Sequence, residues 1–146
     1  MTPTPNWRDR FIDLAAELCR ARGEPEPPRH SDPDRAAHLR LSIDGVDFEA
    51  LHPAQQDGYA DRFLLRCRFG RVGECDEGAL RQALEMNFAL ARSQVGAFGW
   101  DADTRELVFC TPQSLQDAAG DSFLTGLRNI AGLALVWQQT NPPARG

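Results

Sequence analysis

Histidine and cysteine, the side chains that most often carry chemistry in proteins, are scattered through this chain. They stand at His30, His38, His52, Cys19, Cys67, Cys75 and Cys110. The histidines are too far apart in sequence to indicate a metal site, so structural or surface roles are favoured. The cysteines include no C-x-x-C pair, and in a reducing compartment we expect free thiols packed as small apolar groups. The sequence therefore predicts neither a bound metal nor a redox centre.

No short motif in the chain predicts a catalytic or cofactor site. Asp101–Arg105 begins like a calcium-binding loop, but the sixth position is Glu106 instead of Gly and the twelfth is Pro112 instead of Glu. Gly70–Gly73 lacks the glycine pattern of a phosphate loop. All 16 basic residues other than histidine are arginines, which excludes a Schiff-base or P-loop lysine. We therefore expect no catalytic residues and no cofactor.

Length and charge favour one small domain with a protein partner. The 146 residues fit a single domain over 1–146, ordered from about 6 to 139, with a proline-rich loop at 24–33 and a flexible tail at 140–146. The net charge of −5 disfavours nucleic acid and anionic membrane surfaces as partners. The amino terminus shows no signal-peptide pattern, and no apolar run approaches the length of a membrane span. These features predict a cytoplasmic protein.

The opening residues have helical spacing. Apolar side chains recur at Trp7, Phe11, Leu14 and Leu18. This pattern predicts an amphipathic helix over about 6–22, which begins after Asn6 as the N-cap and ends at Gly23.

Alternating sequence follows the proline-rich loop. His38–Ile43 and Val46–Leu51 flank Asp44-Gly45, which predicts a β-hairpin with a two-residue turn. After a polar loop, the composition of Arg62–Val72 is typical of a strand, with Gly70 at a bulge or at the strand end.

A second helix is predicted over about 77–92, capped by Asp76. Its apolar positions cover an arc of roughly 200°, twice what one contact with a core requires. One side can pack on the sheet of the same chain, and a second copy is the most economical partner for the other side. This helix therefore predicts a homodimer.

The rest of the chain predicts a second hairpin and a last helix. The hairpin is formed by Gln94–Trp100 and Glu106–Thr111, and Pro112 leads toward the helix. The last helix is apolar nearly all round from Ile130 to Trp137, so we expect its carboxyl-terminal half to be deeply packed. The order helix, three strands, helix, two strands, helix predicts an α+β fold around a largely antiparallel twisted sheet.

Several of these features together resemble a known family. The first features are an amphipathic first helix with Trp7, Phe11, Leu14 and Leu18, and the D-G hairpin at Asp44-Gly45. The next are the end of the second helix at Ala83–Asn87, a strand with small residues at Val95–Ala97 and the following strand at Leu107–Phe109. The last are Pro112 and the end of the last helix at Trp137. Over about 6–139 the chain resembles the class I type III secretion chaperones, the family of the Tir chaperone. The proline-rich stretch 24–33 is longer than is usual for that family, and the strand Arg62–Arg71 is more basic.

The resemblance implies a cytoplasmic homodimer that binds the N-terminal segment of a secreted effector and keeps it soluble and export-competent. Client segments in the family are extended and place apolar side chains in surface grooves. On this basis we expect a dimer interface at Leu80, Leu84, Phe88, Phe98 and Trp100. We expect a client groove at Phe11, Leu14, Leu18, Leu41 and Phe48. For both sets, packing inside the monomer core is the alternative.

Two other classes of function remain open at the level of sequence. One is a regulatory or adaptor module of the same α+β shape that binds a folded protein. The other is a small-ligand-binding protein or an enzyme whose site is assembled only in space, from residues distant in sequence.

Overall fold

A computed structural model of the chain describes residues 6–28, 32, 34–54, 61–73 and 76–142. Within them the elements are α1 (Trp7–Ala21), β1 (Ala37–Ile43), β2 (Val46–His52), β3 (Arg62–Arg71), α2 (Glu77–Leu90), β4 (Ala97–Asp101), β5 (Glu106–Ser114) and α3 (Gly120–Thr140). All neighbouring strands are antiparallel, in the order β1-β2-β3-β5-β4. The predicted α+β class and order of elements are confirmed.

Local sequence signals determine where these elements begin and turn. The side chain of Asn6 caps α1 by accepting a hydrogen bond from the amide of Asp9 at 3.2 Å. Asp44 and Gly45 have φ values of 52° and 82°, as a two-residue hairpin turn with the twist of the flanking strands requires. A register shift lies between Arg68 and Gly70 on β3, where the sequence predicted a bulge.

One face of the sheet is covered by α1 and α3. Alternate residues of β3 from Phe63 to Phe69 are buried against these helices. The ring of Phe63 lies 5.4 Å from Phe11 of α1 and 5.5 Å from Phe123 of α3. At the other end of β3, Phe69 lies 6.2 Å from Trp137 of α3. The core therefore sits between these helices and one side of the sheet, and Ala79 and Ala83 of α2 also belong to it.

The opposite face of the sheet, called the outer face below, carries a network of ion pairs centred on Arg68. Its guanidinium contacts Glu49 at 3.0 Å and both Asp101 and Glu106 at 3.2 Å. Burial alone would lower the pKa of Arg68, but the hydrogen bonds to Glu49 and Asp101 and the charge of Glu106 outweigh it and raise that pKa. The network ties four strands together, because these residues lie on β2, β3, β4 and β5.

Buried Arg8 holds the start of α1 to the end of β2. It is 3% exposed, and its Nε donates to Nδ1 of His52 at 3.2 Å. Its Nη2 donates at 2.8 Å to the carbonyl oxygens of Pro53 and Arg35. His52, considered above as a possible ligand, is thus a buried hydrogen-bond acceptor that also stacks on Phe11.

The second hairpin differs from its predicted bounds. β4 begins at Ala97 instead of Gln94, which has a φ of 54° in the turn after α2. At Gly96 a Cβ would meet the carbonyl oxygen of Cys110 at 2.6 Å, so the chain passes β5 too closely for a side chain. β5 continues through Pro112, which is tolerated because β4 no longer flanks that position and no hydrogen-bond donor is required there.

The carboxyl-terminal end of α3 also differs from the prediction, which placed it near Trp137. The helix starts at Gly120 and runs to Thr140, and the side chain of Asn141 donates to Gln82 of α2 at 3.0 Å. The tail predicted from 140 onward is therefore attached at its first residues, and 143–146 lie outside the described residues. Parts of the predicted loops, 29–31, 33 and 55–60, lie outside them as well.

Candidate protein-binding surfaces

The helix α2 has one apolar side in the core and another in solvent. Ala79 and Ala83 are buried against the sheet. Leu80, Leu84 and Phe88, spaced four residues apart along another side, are 37%, 68% and 78% exposed. The helix α2 therefore has the two apolar sides that the sequence predicted. No other element of the described chain buries the second side.

Asn87 fixes this exposed side next to the free edge of β4. Its side-chain oxygen accepts from the amide of Phe98 at 2.6 Å, and its side-chain nitrogen donates to the carbonyl of Phe98 at 3.1 Å. Trp100, two residues further along β4, is 46% exposed. We call Leu80, Leu84, Phe88 and Trp100 the α2–β4 patch.

The five residues predicted for the dimer interface divide into two groups. The four residues of the α2–β4 patch are exposed and lie on adjoining elements. Phe98 is half-buried instead, with its ring 4.9 Å from Phe69 and 5.0 Å from Phe109. Its side chain belongs to the monomer core, and its backbone is held by Asn87.

The predicted client groove does not lie on the surface. Phe11, Leu14, Leu18 and Phe48 are each at most 4% exposed and belong to the core, which corrects their placement. Leu41 is half-buried on the same face of the sheet and packs against that core. The physical reason is that α1 packs against both α3 and the sheet, so its apolar side and the facing core residues cover one another.

An apolar groove that the sequence did not predict lies between α2 and α3. Its volume is about 330 Å³, and Met86, Leu90 and Ile130 are among its lining residues. Leu133 and Val136 form its exposed rim, at 65% and 62% exposure. We call this the α2–α3 groove. We expected the carboxyl-terminal half of α3 to be deeply packed. This expectation was wrong for the side of the helix that carries Leu133 and Val136, because α2 does not cover that side.

The groups with potential chemistry are placed apart. Within the described residues no set of three His, Cys, Asp or Glu side chains could hold a metal ion. Cys67 is buried on the core side of β3, where burial raises the pKa of its thiol to about 12 and disfavours the nucleophilic thiolate. Burial also raises the pKa of Cys19 and Cys110. In the described part of the chain, no helix is long and apolar enough to span a bilayer.

The described chain is thus an α+β domain with a five-stranded antiparallel sheet and exposed apolar surfaces. A model of the Tir chaperone protein (CesT) family matches residues 32–138, well over half of the chain. The chain belongs to this family, and the recognition made from the sequence is confirmed. A comparison with curated protein sequences gives no match.

Solved structures share the whole fold at low sequence identity. A chain of the ExsC–ExsE complex is 24% identical, with a TM-score of 0.73 over 97% of this chain and 100% of that chain. A chain of the HopA1–SchA chaperone–effector complex is 12% identical, with a TM-score of 0.66 over 94% and 99%. The structure of the Yersinia pestis type III secretion chaperone SycH with a fragment of YscM2 is 16% identical, with a TM-score of 0.62 over 87% and 98%.

Proposed function

We propose that this protein is a cytoplasmic, non-enzymatic type III secretion chaperone. It works as a homodimer, binds the N-terminal segment of a secreted effector and keeps that effector soluble and export-competent. Membership of the Tir chaperone family is the observation that carries the proposal. The similar structures support it, because one is named a chaperone–effector complex and another a type III secretion chaperone with a bound fragment.

The proposed homodimer forms through the α2–β4 patch. A two-fold axis brings the same patch of each copy together, so the exposed Leu84 and Phe88 of one copy cover those of the other. Trp100 lies at the border of the same surface. Because Asn87 already occupies the backbone groups of Phe98, the copies meet there by side-chain packing and not by extension of the sheet.

The proposed client uses the α2–α3 groove. This groove lies on the other side of α2 from Leu84, so dimer formation leaves it open. Its apolar lining suits leucine-like or aromatic side chains of an extended segment, and its rim of Leu133 and Val136 adds contact area. A disordered segment loses entropy on binding, so affinity requires several such contacts along the chaperone.

Co-expression with the product of a neighbouring gene tests the function. We expect that product to be insoluble alone, soluble with the chaperone, and copurified through a segment near its amino terminus that truncation can map. Leu133→Asp should weaken this capture, because it places a charge at the rim of an apolar groove. Capture through a folded domain of the partner would support the adaptor alternative instead, and no capture of any neighbouring product would refute the chaperone proposal.

A further inference from the structure

The middle strand of the sheet presents an unusual line of side chains on the outer face. Arg62, Leu64 and Arg66 occupy alternate positions of β3, opposite in orientation to the buried residues between them. Successive members of the line are therefore about 7 Å apart, and the two arginines about 13 Å apart. Arg62 is exposed, whereas Leu64 and Arg66 are half-buried. This is the basic stretch that distinguishes the chain from the family pattern.

Within the part of the chain that the structure describes, the two arginines of this line have no charged partner. Within the described residues, neither guanidinium takes part in a hydrogen bond or an ion pair, in contrast to Arg68 further along the strand. Arg40 of β1 is exposed on the same face, opposite Glu49, and is also unpaired. The positive charge at the middle of the outer face is therefore available to a partner.

Two described carboxylates beside the line, Glu49 and Asp61, are engaged by other groups. Glu49 lies opposite Arg66 in the register, but its two oxygens are held by Arg68 and His38, each at 3.0 Å. Burial alone would raise the pKa of Glu49, and these hydrogen bonds outweigh it and lower that pKa. Asp61, which precedes Arg62, accepts a hydrogen bond from Gln116 at 2.8 Å. Among the described contacts, neither carboxylate forms an ion pair with Arg62 or Arg66.

Apolar side chains separate the two arginines across the neighbouring strands. Leu64 pairs with Leu51 of β2 on one side and with Pro112 of β5 on the other. Residues paired across antiparallel strands point to the same face, so these three form an apolar band. Leu51 is half-buried and Pro112 is exposed. Along β3 the surface therefore presents the charge of Arg62, then the apolar band, then the charge of Arg66.

We propose that this surface binds an acidic, extended segment of the secreted partner in which two carboxylates flank an apolar side chain at alternate positions. An extended chain presents every second side chain on one side, with the spacing of Arg62, Leu64 and Arg66. Its carboxylates pair with the arginines while its apolar side chain covers the band around Leu64. The inference rests on the proposed function and specifies the chemistry of the client segment.

Binding of synthetic peptides to the full-length protein tests this proposal directly. The probe is a short fluorescein-labelled peptide with Glu, Leu and Glu at alternate positions, measured by fluorescence anisotropy at low ionic strength. One control peptide carries Gln for Glu. A second keeps the composition but moves one Glu by one position, so that the carboxylates face opposite sides. We expect the probe to bind, added salt to weaken it, and both control peptides to bind more weakly.

A pair of matched double variants locates the site on the protein. Arg62→Gln/Arg66→Gln removes two positive charges from the line, and Arg81→Gln/Arg128→Gln removes two exposed, unpaired charges from α2 and α3. We expect the first to weaken the probe about 5- to 30-fold, and the second to change binding by less than about twofold. Circular dichroism should show nearly equal thermal unfolding, because within the described residues none of the four side chains makes a hydrogen bond or an ion pair.

The outcomes separate this proposal from the function on which it rests. Equal weakening by both double variants would overturn the site, and equal binding of the Gln peptide would overturn its chemistry. Tighter binding of a single-stranded oligonucleotide than of the probe would also overturn it. If the wild-type protein captures its effector and Arg62→Gln/Arg66→Gln captures it equally well, the proposal fails while the chaperone function stands. If the wild-type protein captures no effector, the proposed function fails whatever the peptides do.

Discussion

Replacing Phe88 by alanine is the sharpest test of the proposed dimer. Phe88 is 78% exposed on α2, so its ring contributes little to the monomer fold. In the proposed dimer it belongs to the α2–β4 patch, where the other copy would cover it. The substitution should therefore weaken association and leave the folding of each copy nearly unchanged.

The exposed fraction sets the magnitude of this effect. Full burial of a phenylalanine side chain contributes about 1.5–3 kcal/mol, and with 78% of Phe88 available the contribution is about 1–2 kcal/mol per copy. Each two-fold dimer contains two such side chains, so Phe88→Ala should cost about 2–4 kcal/mol of association free energy. This corresponds to a dissociation constant raised about 30- to 700-fold.

Sedimentation velocity over a dilution series measures that dissociation constant. Leu133→Ala is the matched control, because Leu133 is 65% exposed but lies at the rim of the α2–α3 groove. It should leave the dimer unchanged, and both variants should unfold at nearly the wild-type temperature. A wild-type protein that is monomeric at micromolar concentration, or a dimer weakened more by Leu133→Ala than by Phe88→Ala, would refute the placement of the interface.

Three further predictions concern groups that hold the fold. Arg8→Gln should lower the free energy of unfolding in urea by about 2–4 kcal/mol, because the buried Arg8 side chain is lost and the carbonyl groups of Pro53 and Arg35 lose their donor; an unchanged value would contradict the role of Arg8 in holding α1 to β2. Asn87→Ala should cost about 1–3 kcal/mol and speed hydrogen exchange at the amide of Phe98, and unchanged exchange there would argue against the double hydrogen bond. The pKa of Glu49 is lower in the folded protein than its ordinary value of 4.5, so its carboxylate stabilises the fold at pH values above 4.5. This stabilisation is lost as the pH falls through the pKa of the folded state. Urea unfolding below about pH 4.5 should therefore show a smaller acid loss for Glu49→Gln than for the wild type, and identical curves would contradict the role of that carboxylate.

The surfaces proposed for dimer, client groove and acidic segment do not overlap. The α2–β4 patch and the α2–α3 groove lie on different sides of α2, and the line from Arg62 to Arg66 lies on the outer face of the sheet. One dimer could therefore hold one client at four places, two on each copy. Several weak contacts along a chain raise the overall affinity without any single tight site.

Local features of the fold were predictable because they depend on a few adjacent residues. Asn6 and Asp76 each cap a helix with their own side chain, and Asp44-Gly45 adopts the turn that its φ angles allow. The exposed side of α2 was predictable for a related reason. Its apolar arc is wider than one sheet contact can cover, and that excess is visible in the sequence.

The client surface could not be predicted in the same way. An apolar stripe indicates that a side of a helix is covered, but not by what. Leu14 and Phe48 have the same pattern as a binding groove would have, and they are buried because α1 lies on the sheet. Leu133 and Val136 belong to an equally apolar stretch and are exposed. The packing of α1 on the sheet and the position of α2 beside α3 separate the two cases.

The sequence by itself thus determined the α+β class, the order of elements, the family and the double-sided second helix, since each follows from periodicity, caps or pattern within short stretches. Which apolar residues are core and which are surface was decided by the tertiary structure, because burial depends on elements far apart in the chain. The same holds for the outer face. The arginines of β3 were visible as a basic stretch, but that Glu49 is held by Arg68 and His38 and leaves Arg66 unpaired follows only from the sheet that brings them together.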